Sequence, residues 1–141
     1  MASRRKGRIL AFQALYFWEA SGNVSVEELS SFAWLDEEKL KSLDESMASF
    51  SRILIAGSLE NIKDIDKMIK SHLENWDISR LNRVDLAILR ISVYTLMYQK
   101  EISPSIVIDE AIGICREYGA DDSFKFINGV LDSIRKTLSS G

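Results

Sequence analysis

The stretch from Leu81 to Tyr98, LNRVDLAILRISVYTLMY, limits what this chain can fold into, because nearly every direction around it is apolar. On a helical wheel Leu81, Val84, Ile88 and Ile91 cover one side, and Leu86, Leu89, Val93, Tyr94, Leu96 and Met97 cover the other. A helix that is hydrophobic all round belongs in the middle of a structure. Its length approaches that of a bilayer span, about 20 residues. Asn82, Arg83, Asp85 and Arg90 interrupt it, so it reads as a soluble core helix around which other segments pack.

Those other segments are also helical in pattern. Residues 3–18 form a first helix, with Ser3 as its N-cap. Ser25 with Glu28 makes a capping box for a short helix over 24–35, and 36–41 is a charged connection or the first turn of the next helix. Residues 43–73 carry apolar positions at helical spacing, with Gly57-Ser58 as a kink or a break. Asp77 or Ser79 caps the central helix, and Trp76 anchors the connection into it. Ser103-Pro104 starts a helix that Gly119 closes in the C′ position, and a final helix runs from Ser123 to about Leu138, with Asp122 as N-cap. No alternating run is bounded by hairpin turns. The expectation is an all-α fold of six or seven helices, and at 141 residues a single domain over 1–141.

Chemistry-bearing residues are sparse. One cysteine, Cys115, and one histidine, His72, exclude an intrachain disulfide framework and a Cys/His zinc site. Cys115 lies in a buried stripe, and His72 in a last helical turn, where a cationic side chain compensates the dipole. There is no phosphate-cradling glycine loop and no nucleophile beside a histidine, so binding is expected, with neither catalysis nor a cofactor. The basic start lacks a signal-peptide core, consistent with a cytoplasmic protein that does not enter a membrane.

Charge distribution says more than net charge. The chain totals −3, yet Met1 to Trp18 holds Arg4, Arg5, Lys6 and Arg8 and no acid. Such a basic end on an acidic body draws an anionic ligand to one surface. On the first helix, Leu10, Ala11, Ala14, Leu15, Phe17 and Trp18 face the core, whereas Arg5, Arg8, Ile9, Phe12, Gln13 and Tyr16 gather on the opposite side. Cations mixed with aromatics suit a single-stranded nucleic acid, pairing with phosphates and stacking on unpaired bases. The same face also reads as a solvated helix end whose rings pack under a neighbour. On the last helix Phe126 leaves the core stripe of Phe124, Ile127, Leu131, Ile134 and Leu138, beside Lys125 and Asn128. It is a second stacking position, part of a protein-binding patch, or the filling of a second helix interface.

The segment Arg4-Arg5-Lys6-Gly7-Arg8-Ile9-Leu10-Ala11-Phe12-Gln13-Ala14-Leu15-Tyr16 resembles the opening of the NusB family of bacterial transcription antitermination factors. Four later blocks resemble the family in the same order: Val84 to Arg90, Val107 to Ala111, Tyr118-Gly119 and Lys125 to Asp132. Residues 19–75 match only as helices. The resemblance implies two packed helical subdomains and a non-enzymatic role. That role is binding boxA RNA of ribosomal-operon transcripts together with NusE, a small-subunit ribosomal protein, within the RNA polymerase antitermination complex. Carried over by position, it implies RNA contacts at Arg5, Arg8, Gln13, Tyr16, Lys125, Phe126 and Asn128, and NusE contacts at Asp122 and Asp85. Three positions depart from the family pattern: Gly7, expected to fray the basic turn, Thr95 and Arg116. Two other readings stand beside this one: a helical protein-binding adaptor without RNA affinity, and the NusB-like part of an RNA methyltransferase. Either a monomer or a homodimer that hides the basic helix fits the sequence.

Overall fold

A computed structural model describes residues 2–74 and 77–140, and among them only helices occur. In chain order these are α1 (Ala2–Ser21), α2 (Val26–Ser31), α3 (Glu37–Lys41), α4 (Glu45–Glu60), α5 (Ile62–Ser71), a 3-10 turn (Ile78–Arg80), α6 (Arg83–Tyr98), α7 (Pro104–Tyr118) and α8 (Ser123–Ser140). The all-round apolar segment is the centre. Every residue of α6 from Asp85 to Leu96 is buried, and α1, α4, α5, α7 and α8 all pack against it. The expected role of Trp76 lies outside the described residues.

Polar side chains set the helix starts. Ser25 Oγ accepts from Glu28 N at 3.1 Å, so Ser25 is the N-cap, while the Glu28 carboxylate meets Ser25 Oγ at 3.5 Å in place of the reciprocal backbone bond of a capping box; the helix is shorter than its pattern and stops where Phe32 turns left-handed at φ 58°. Asp36 caps α3 and Asp44 caps α4, which makes the charged 36–41 segment a helix of its own. Asn82 caps α6 through Val84 N at 2.8 Å. Asp77 caps the preceding 3-10 turn, leaving Leu81 outside the central helix.

Several expectations are corrected. The first helix begins at Ala2, so Ser3 lies within it. Helix α4 runs unbroken through Gly57-Ser58, and the break falls at Asn61. Gly57 serves packing: a Cβ there would overlap the Tyr94 ring of α6. Gly7 has the same use, since a Cβ would sit 2.7 Å from the Phe50 ring of α4; the glycine admits a neighbouring helix instead of loosening the turn. Gly119 does not take the left-handed conformation. It is extended, at φ −93° and ψ −178°, and its Cα lies so close to Cys115 that a Cβ would come within 2.8 Å of the Cys115 carbonyl. His72 is half-buried, its Nδ1 2.6 Å from Ser133 Oγ and its Nε2 3.3 Å from Thr137 Oγ1, so it joins the end of α5 to α8 instead of resting on the surface.

Candidate nucleic-acid interface

Helix α1 carries the basic face, and its neighbours decide how much of that face reaches solvent. Helices α4 and α7 lie against it, so two of the side chains expected on the outside are covered. Phe12 is buried, its ring 5.3 Å from that of Tyr118 at the end of α7. Arg8 is buried between the Phe50 ring, 5.5 Å away, and Glu110 Oε2, 3.8 Å away. Burial pulls the Arg8 pKa down while Glu110 pushes it up and Arg4 lowers it further, but a guanidinium keeps its charge throughout the physiological range.

Arg5 remains within reach of solvent. Its Nη2 donates to Glu117 Oε2 at 3.2 Å, and its Nη1 lies 3.9 Å from Glu110 Oε2. Glu110 Oε2 is itself buried with no hydrogen-bond partner among the described residues, because both arginines stand beyond hydrogen-bond distance of it. Lys6 is exposed, Gln13 half-buried and Tyr16 exposed at 40%. Of the four α1 candidates, Arg5, Gln13 and Tyr16 thus reach solvent, and Arg8 is a buried charge.

The α8 candidates divide. Lys125 is exposed, its Nζ 6.0 Å from the Phe124 ring, whose other cationic neighbour is Arg116 at 4.6 Å. Phe126 lines a groove of about 530 Å³ with Asp85, Asp122, Ser123 and Leu81, so it sits with both partner-binding candidates. Asn128 lies in a hollow with Ser103, Asp109, Asp132 and Arg135, apart from the other candidates. Asp122 immediately precedes α8, and its carbonyl accepts from Lys125 N at 3.2 Å. Asp85 is buried at the groove's edge, and its Oδ1 has no hydrogen-bond partner among the described residues. Burial pushes its carboxyl up from the ordinary range, and the Ser123 hydroxyl holds it back.

The NusB family profile matches residues 5–136, which takes in both faces. The chain belongs to the NusB family. The transcription antitermination protein NusB of Treponema denticola is 52% identical over 132 residues, 94% of this chain and 95% of that protein. NusB of Borreliella burgdorferi is 38% identical over 95% of this chain and 94% of its own. Among solved structures, NusB of T. maritima superposes with a TM-score of 0.82 at 35% identity, covering 94% of this chain and 90% of that one. A crystal structure of the antitermination factors NusB and NusE in complex with dsRNA matches with a TM-score of 0.84 at 28% identity, covering 97% and 98%. The NusB fold is therefore present over almost the whole chain, including the residues 19–75 where sequence motifs were silent.

Residues that sequence reasoning missed surround α1. Lys39 of α3 and Tyr118 of α7 line a groove next to Arg5, Lys6 and Gln13. The Tyr118-Gly119 pair was visible as a motif, but a lysine within a charged run carries no such signal.

Proposed function

We propose that this protein is a transcription antitermination factor that binds boxA-type RNA of ribosomal-operon transcripts together with NusE and helps RNA polymerase read through terminators. The observation that carries the reading is the α1 face in a NusB-family fold: Arg5, Lys6, Gln13 and Tyr16 reach solvent over the buried cation of Arg8. Support comes from relatives named as antitermination proteins and from a similar chain solved with NusE and RNA. The exposed cations attract phosphates, and displaced counterions make the affinity fall with salt. Tyr16 offers a ring on which an unpaired base stacks.

NusE is assigned to the groove between the start of α6 and the start of α8. Asp122 and Asp121 present acids there, Leu81 and Phe126 present apolar surface, and a basic, partly apolar protein segment complements both. Phe126 belongs to that contact first, with Lys125 beside it on the RNA side.

The test is fluorescence anisotropy of labelled boxA RNA and a scrambled control, each titrated with the protein alone and with NusE at two salt concentrations. Selective binding strengthened by NusE is expected. In Arg5→Ala the salt slope drops by about 0.7, the value for one phosphate contact on a single strand. Equal, weak binding of both RNAs with or without NusE refutes the reading, and NusE binding without any gain in RNA affinity points to an adaptor.

A further inference from the structure

A groove of about 610 Å³ opens between α1, α3 and the end of α7, within the size range of about 300–1,000 Å³ that encloses small ligands. Its floor is apolar, made by Leu10, Leu35, Leu43 and Met47, while its rim carries Arg5, Lys6 and Lys39. Glu117 is the one carboxylate among the lining residues, and Arg5 holds it. Tyr118 borders the groove with 41% of its surface exposed, and the Gln13 amide at its edge offers both a donor and an acceptor.

From this arrangement we infer that the groove receives one unpaired base of the RNA, which stacks on Tyr118 while Lys6 and Lys39 hold the phosphates on either side. The inference rests on the RNA reading and adds α3 to it as a second wall. Two features favour a single-stranded RNA over a protein segment. Cations outnumber acids around the rim, and the groove is continuous with the α1 face through Arg5, Lys6 and Gln13. An apolar floor with a ring beside it takes a flat base and cannot take the backbone of a closed duplex, whose bases stay stacked inside.

The experiment uses the full chain with NusE and a single-stranded boxA RNA carrying 4-thiouridine at successive positions, cross-linked and mapped by mass spectrometry. Affinity is measured in parallel for Lys39→Ala, Lys39→Arg and Tyr118→Ala. One position is expected to cross-link to Tyr118 or Met47. Lys39→Ala lowers the salt slope by about 0.7 and Lys39→Arg restores it. Tyr118→Ala weakens binding about fivefold or more through lost stacking. Because Tyr118 also touches Phe12, its variant is compared at matched thermal stability, and the exposed Lys39 gives an independent readout. Cross-links confined to other surfaces, or wild-type affinity in both alanine variants while Arg5→Ala still weakens binding, overturn the groove and leave the RNA reading standing. A loss of NusE affinity with RNA affinity unchanged at saturating NusE makes the groove a protein contact and overturns the inference. If the wild type with NusE binds no RNA, the two fall together.

Discussion

What a substitution does to an ionisable side chain of this protein depends on whether that side chain is buried alone or paired with an opposite charge. Asp85 is a carboxylate buried at the start of α6, one of its oxygens without a hydrogen-bond partner among the described residues. Burial raises its pKa in the folded state above that of the unfolded chain, about 3.9. The folded state therefore binds the proton more tightly than the unfolded one, so Asp85 costs stability above that range and the cost fades as pH falls through the folded pKa. Asp85→Asn is expected to raise the melting temperature by about 2–4 °C at pH 7, with the gain vanishing toward pH 4 in calorimetry. A stability gain that is independent of pH refutes this account. Glu117 meets Arg5 at 3.2 Å in a half-exposed pair, and under the proposed RNA reading it competes with RNA for that guanidinium. Releasing such a pair changes little in stability, so Glu117→Gln is expected to tighten RNA binding by about two- to fivefold with an unchanged melting temperature. Anisotropy at low salt reads the difference. The arginines themselves were legible as residues, since basic side chains before an apolar stripe stand out in any wheel. Which of them would be buried was not: Arg8 and Phe12 share a helical face with Arg5 and Gln13, and only the positions of α4 and α7 separate them.

At the scale of elements, small residues set how closely α4 packs. Ala48, Ser51 and Ser58 are buried along it, Gly57 meets the Tyr94 ring of α6, and Phe50 meets Gly7 of α1. Helix propensity favours alanine over glycine by up to about 1 kcal/mol, whereas overpacking a filled contact costs about 1–3 kcal/mol. Packing wins, so Gly57→Ala is expected to lower stability by about 1–2 kcal/mol in urea titration, although the same change at an exposed helical site would raise it. Caps were readable where a single side chain decides them, as at Ser25, and misassigned where two candidates compete. Asp77 and Ser79 both precede the central helix, yet Asn82 is the residue whose side chain reaches Val84 N and Asp85 N. Glycine was the least legible residue. In sequence it marks flexibility or a helix end, but Gly7, Gly57 and Gly119 all lie where a neighbouring atom leaves no room for a Cβ.

Across the whole molecule, Arg90 ties three helices together. Its guanidinium grips Asp66 of α5 with two bonds of 2.9 Å, donates to Glu19 of α1 at 2.7 Å and stands 5.5 Å from the Trp18 ring. Burial pulls its pKa down, but the two carboxylates more than offset that and leave it raised. Arg90→Met strands two carboxylates and is expected to cost about 3 kcal/mol in urea unfolding, the lower end for a broken buried pair because Glu19 is partly exposed. Adding Asp66→Leu should recover part of the loss, and full additivity of the two changes would argue against the pairing. No helix among the described residues is long and apolar enough to cross a membrane, and of the charges that interrupt α6 the buried Arg90 is held by these two carboxylates. The sequence by itself determined that the chain is all-helical, that the stretch from Leu81 to Tyr98 holds its centre and that the basic residues concentrate on α1, because periodicity, caps and charge are local properties of the chain. Only the tertiary structure decided which α1 side chains stay in solvent, that Phe126 joins Asp85 and Asp122 in one groove, and that Lys39 and Lys6 line another. Those outcomes depend on how separate helices meet, and the distance between side chains on different helices is written in no local pattern.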